Sequence, residues 1–90
     1  MFVGVVVGTV VSTTKNENLV GYKLLVVRPV PLDGQATVDT TLVAVDTVDA
    51  GVGDKVLVTM GSPARMADPQ RRAPVDAAIV GVVDSVQIRA

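Results

Sequence analysis

The apolar positions fall into short runs separated by clusters of glycine, proline, asparagine and aspartate, and none keeps a helical period for long. Phe2 to Thr13 is mostly valine, threonine and glycine, which predicts a long first strand that bends or bulges near Gly8. Lys15, Asn16, Glu17 and Asn18 form a polar tip, after which Leu19 to Tyr22 leads into a second strand over Lys23 to Arg28. Pro29, Pro31, Asp33 and Gly34 then punctuate the chain: each proline removes a ladder donor, and the Asp-Gly pair suits a tight reversal. A third strand is expected over Thr41 to Asp46 and a fourth over Lys55 to Met60, joined by a loop, Asp49 to Asp54, whose glycines permit positive φ. From Gly61 the pattern changes. Ser62 is expected to cap a helix of one or two turns with Pro63 at its first position, and Asp68-Pro69 to end it. Pro74-Val75-Asp76-Ala77 returns the chain to a final strand over Ala78 to about Ile88.

Five short strands with one short helix between strands 4 and 5 predict an all-β fold, a compact five-stranded OB-like (oligonucleotide-binding type) Greek-key barrel, because closing the sheet removes exposed strand edges. No linker or internal repeat divides the chain, so residues 1–90 are expected to be one domain. Composition sharpens this picture. The chain is 49% hydrophobic and 19% charged, and valine supplies roughly a quarter of it, a bias toward pleated, half-buried surface. That is more apolar material than one small core needs, which points to surface covered by another subunit.

Charge and residue types remove several function classes. A net charge of -1 provides no broad positive field for a phosphate backbone, and only Phe2 and Tyr22 could stack on bases, so no nucleic-acid partner is expected. Arg65, Arg71 and Arg72 form the one local basic cluster, read as a solvated loop or a protein contact. Phe2 to Val11 lacks a preceding basic residue and is broken by Gly4, Gly8 and Thr9, so it reads as a strand and not as a signal peptide; no run is long enough for a membrane helix, and no membrane partner is expected. With no His and no Cys, Ser-His and Cys-His nucleophile pairs and the commonest zinc sites are out of reach, and no cofactor or metal is called for. Most of the aspartates stand at turns, where the side chain bonds its own backbone. Asp46, Asp76 and Asp84 lie in or beside apolar runs and are read as acceptors within the fold or across an interface, with a paired-carboxylate site as the alternative. Gly51 to Lys55 lacks the spacing that wraps phosphates, and Gly-Asp-Lys-Val is read as structural.

Three stretches carry a family resemblance: Gly8 to Thr13; Val43 to Val48 with Ala50 to Asp54; and Pro74 to Asp84. Lys23 to Pro29 and Gly61-Ser62-Pro63-Ala64-Arg65 stand between them in the expected order. Together they span nearly the whole chain and resemble the EutN/CcmL family of bacterial microcompartment shell vertex proteins. The resemblance implies a non-enzymatic structural protein whose cyclic homopentamer caps the vertices of a polyhedral shell in the bacterial cytoplasm, with hexameric and pseudohexameric shell proteins as partners. Hexagonal tiles alone make a flat layer, and a head-to-tail ring of five supplies the corner. The alternative is an OB-like barrel that binds single-stranded nucleic acid or a small ligand. Pro63 departs from the family's Gly-Ser-Ser-Ala-Arg pattern. The residues expected at the subunit interface or five-fold axis are Gly61, Ser62, Arg65, Asp76 and Asp84, with Arg65 pairing to a carboxylate or carbonyl of the neighbour.

Overall fold

A computed structural model describes residues 1–13, 15–32, 40–68 and 75–89. Its elements are β1 (Phe2–Val10), a 3-10 turn (Glu17–Leu19), β2 (Lys23–Pro29), β3 (Leu42–Asp46), β4 (Lys55–Met60), the helix α1 (Gly61–Met66) and β5 (Ala77–Val82). The strands close into a barrel in the order β1-β2-β3-β5-β4, with β3 and β5 parallel and the other neighbours antiparallel. This is the five-stranded all-β barrel with one helix between its fourth and fifth strands that the strand pattern predicts.

Closure depends on two irregularities. β1 pairs with β2 up to Val6↔Val27 and resumes at Gly8↔Val26, leaving Val7 unpaired in a bulge. The extra residue sharpens the twist, so that residues 2–5 pair with β4 while β1 from Gly4 onward follows β2. A second shift places Leu57 opposite Gly81 and Val58 opposite Ile79, which skips Val80. At Gly4 the strands approach so closely that a Cβ would lie 2.5 Å from Val27 Cγ1 and 3.0 Å from the Arg28 carbonyl oxygen, and only glycine fits.

Alternation along the strands sorts side chains to two sides of the wall. Inward go Val6, Leu25, Val27, Ala44, Val56, Val58, Ala77 and Ile79, which with Ala50 form a sealed interior against which Phe2 and Leu42 pack. Outward go Val45 and Ala78, which with Ala64 of α1 form a second cluster flanked by half-buried Leu19, Tyr22, Leu24, Ala67, Val75 and Val80. Short elements thus lie over one outer face of the barrel as a thin second layer.

Several boundaries differ from the sequence expectation. β1 stops at Val10 rather than Thr13, and the lead-in to β2 contains the 3-10 turn, whose Asn16 side chain accepts from the Asn18 N–H at 2.9 Å. The helix begins at Gly61, with Met60 in the capping position and no side-chain cap; Ser62 is inside the first turn and Pro63 is its third residue. The turn into the helix comes from Gly61 itself, at φ +66, whose N–H donates to the Asp76 carbonyl at 2.8 Å. The last strand ends at Val82 instead of running to Ile88. Its partner β4 begins at Lys55, and after the Val83 N–H donates to the Lys55 carbonyl at 2.8 Å there is no further β4 ladder to follow. The Asp33-Gly34 reversal, Pro69, Arg71, Arg72 and Pro74 lie outside the described residues.

Candidate subunit interface

The five residues expected at the interface do not form one group. Gly61, Ser62 and Arg65 share α1, and the Gly61 bond to the Asp76 carbonyl ties that helix to the start of β5. Arg65 is exposed; its Nη2 donates to Ser62 Oγ at 2.9 Å, and its Nη1 lies 3.5 Å from the Val75 carbonyl oxygen, at the long limit of a hydrogen bond. The guanidinium is therefore held over the junction of α1 and β5, on the exposed side of the helix. Asp76 is exposed at the same junction. Asp84 stands apart, exposed beyond the far end of β5.

Beside this junction the outer layer is incomplete. β5 pairs with β3 only at Val45↔Ala78 and Asp46↔Ile79, so the two strands part below Val45. A cavity of about 160 Å³ opens there, lined by Leu19, Leu24, Val43, Val45, Val75 and Ala77, with Asp76 on its wall. Val43 is 48% exposed. No motif marks this groove in the sequence. Its one signal is that residues 42–45 are apolar at outward as well as inward positions, the pattern of a strand covered on both faces.

Asp46, Asp49, Asp54 and Asp68 are fastened to the fold. Asp46 is buried, and its carboxylate accepts from the Val48 N–H at 3.1 Å and the Ala50 N–H at 2.8 Å while Lys23 Nζ approaches to 3.3 Å. Asp54 Oδ2 accepts from the Gly51 N–H at 2.8 Å, and Gly53 N–H donates to the Val6 carbonyl at 2.8 Å, so the Gly-Asp-Lys-Val step is a turn clipped to β1. Asp49 adopts φ 60 and its exposed carboxylate accepts from Lys23 at 3.1 Å. That hydrogen bond, set against desolvation and aided by Asp46, raises the Lys23 ammonium above the ordinary lysine range. Among the described residues no group of three or more His, Cys, Asp or Glu could hold a metal ion, and no helix is long and apolar enough to cross a membrane. Phe2 packs on the barrel interior and Tyr22 Oη donates to Asp68 at 2.8 Å, so the chain's two aromatic rings are both engaged in the fold.

Comparison with known proteins gives a consistent set of relatives. The family model described as "Ethanolamine utilisation protein EutN/carboxysome" matches residues 1–84. The bacterial microcompartment shell vertex protein GrpN of Rhodospirillum rubrum is 49% identical over 92 residues, covering 97% of each chain. The solved structure of that pentameric microcompartment shell protein superposes with a TM-score of 0.83 at 47% identity, over 100% of both chains. The structure of Gloeobacter violaceus CcmL gives a TM-score of 0.87 at 39% identity, covering 98% of this chain and 90% of that one.

Proposed function

The chain belongs to the EutN/CcmL family of shell vertex proteins, and from that premise we propose that it is a structural subunit whose cyclic homopentamer caps the vertices of a bacterial microcompartment shell. The observation that carries this is the full-length match, in sequence and in structure, to a pentameric shell protein. A ring of five converts a flat hexagonal layer into a closed corner, which is a task of shape and adhesion. The chain contributes what that task requires: a rigid closed barrel and an apolar outer face left half covered. The absence of histidine and cysteine fits a role without catalysis.

In the assembled particle the ring meets hexameric and pseudohexameric shell proteins, within the bacterial cytoplasm. Gly61, Ser62, Arg65 and Asp76 belong to the contact between neighbouring subunits, with Asp84 reaching it from the other end of β5. Arg65 serves there as a donor to a carboxylate or carbonyl across the contact, since it is exposed and held in place by Ser62 on its own helix. Native mass spectrometry at micromolar concentration tests the reading. A dominant five-subunit species is expected, and a stable monomer overturns it. Within that assay, Arg65→Ala rings are expected to fall apart at higher concentration than the parent; equal persistence on dilution removes Arg65 from the contact.

A further inference from the structure

A ring that closes head to tail joins two different surfaces of the same subunit, so each copy must display a donor and a matching acceptor. The chain displays both. We propose that residues 85–89 of one subunit occupy the groove between β3 and the start of β5 on the next, fastening each contact of the ring. The proposal rests on the pentamer reading and specifies how its subunits hold on to one another.

The donor is the segment after β5. Residues 84–89 are all exposed and belong to no strand or helix. Val86 and Ile88 are 41% and 53% exposed, and their spacing of two puts them on one side of the segment when it is extended. Arg89 follows immediately. The acceptor has three features of matching chemistry. Its walls are aliphatic, and its volume of about 160 Å³ compares with roughly 150 Å³ for a dry apolar cavity that takes a benzene molecule, room for a branched aliphatic side chain. Asp76 on its wall supplies the opposite charge to Arg89. Because β5 joins β3 only at Val45 and Asp46, residues 42–44 have, among the described residues, β2 along one edge and no strand along the other. An extended segment can add to such an edge by main-chain hydrogen bonds while its alternate side chains fill pockets.

The placement favours a second copy over the subunit's own segment. The groove lies at Ala77 and the segment departs beyond Val82, so the length of β5, roughly 17 Å at the rise of a strand, separates them. The Val83 bond to Lys55 continues the line of β5 and carries the chain further from its own groove. Donor and acceptor at opposite ends of one strand are the arrangement that a closed ring of identical units repeats.

The absence of cysteine from the chain makes the test direct. Ile88→Cys and Val43→Cys, both at exposed positions, are combined in one chain and oxidised, and the products are separated under denaturing, non-reducing conditions. A chain with a single cysteine can link at most two copies, so a ladder rising above the dimer to five copies in the double variant is the expected result. Overturning results are distinguishable. A double variant that remains a five-subunit species by native mass spectrometry but gives no ladder refutes the docking and leaves the pentamer standing. A faster-migrating, internally linked single chain shows the segment lying on its own subunit. A parent protein that is monomeric removes the ring and this contact with it. Independently, Ile88→Asp is expected to raise the concentration at which rings dissociate tenfold or more, the scale of one buried aliphatic side chain. Arg89→Asp is expected to give a smaller rise, reversed when Asp76→Arg is added; no change for Ile88→Asp, or no reversal by the double exchange, counts against the contact.

Discussion

The two sides of the barrel wall are built from the same residues, valine, alanine and leucine, yet they end in different states. On the inside, side chains from all five strands meet, and Leu25, Val27, Val56, Val58 and Ile79 reach zero exposure. On the outside, Val45 and Ala78 are covered by α1 and by the turn at Leu19, but Val43 on the same strand remains about half exposed and a groove opens beside it. The inside is complete in one chain because strand closure supplies every neighbour. The outside depends on short elements, six residues of helix and three of 3-10 turn, which are too small to cover the face they lie on. The difference assigns the two regions separate tasks: the interior determines whether a subunit folds, and the outer layer determines what that subunit joins.

If that division holds, the largest effect should come from the interior. Leu25→Ala is expected to lower folding stability by about 2 to 5 kcal/mol, the range for a buried leucine whose site cannot collapse. Chemical denaturation of the isolated subunit, or of rings diluted until they separate, would read it. Val43→Ser on the outward face should move the same midpoint by less than about 0.5 kcal/mol, as exposed substitutions usually do. Comparable losses at the two positions would mean that the outer face is core after all.

Gly4 sharpens the same point from the opposite direction, by overfilling. A methyl group there meets Val27 Cγ1 and the Arg28 carbonyl oxygen, and the backbone oxygen has little room to withdraw. Gly4→Ala is expected to cost about 1 to 3 kcal/mol in the same denaturation experiment. An unchanged midpoint would show that β1 and β2 can separate without loss.

Most of the interior is legible from the sequence, and most of the outer layer is not. Lys55–Met60 is recovered to the residue because a glycine-bearing turn precedes it, a glycine follows it and alternation fills it. The bulge beside Gly8 is legible for a similar reason, since a strand that long cannot stay straight in a small barrel. The end of β5 is different. Val82, Val83, Val86 and Ile88 look like a continuing strand, and what ends it is the start of β4 on the far side of the ladder, a fact of register and not of composition. The cap of α1 also misleads: Ser62 and Pro63 have the right types, but the positive φ of Gly61 moves the helix start two residues earlier. The groove carries no local signal beyond the double-sided apolarity of β3, because it arises where β3 and β5 part, and a parallel pairing between distant segments cannot be read from either one.

That helix start gives the next effect in size. Gly61→Ala places a Cβ at φ +66, a conformation that costs an L-residue on the order of 1 to 2 kcal/mol. Nothing lies within 4 Å of the added carbon, so the cost is one of backbone alone. Because Gly61 joins β4 to α1 and bonds the Asp76 carbonyl, the strain falls on the outer layer. Ring dissociation on dilution should therefore respond more strongly than the unfolding midpoint. The reverse order would place α1 among the elements on which the barrel itself depends.

The smallest effect is expected where the outer surface meets solvent, at Lys23. Its ammonium bridges the buried Asp46 and the fully exposed Asp49, and the Asp49 hydrogen bond is the main reason it holds its proton more tightly than a free lysine. A cation whose affinity for its proton is raised on folding contributes stability that is fully present below the unfolded lysine value and is lost as pH rises through the folded one. Denaturation midpoints should thus be flat in this respect at neutral pH and fall above the ordinary lysine range. Lys23→Met should remove that alkaline step while leaving the Asp46 bonds to the Val48 and Ala50 N–H groups intact. Salt should weaken the parent's step, since one partner stands in open water. An alkaline step of equal size in Lys23→Met would shift the cause to another group, and the Lys23 bridge would then add nothing to a loop already held by the Asp46 carboxylate and by the Gly53 bond to β1.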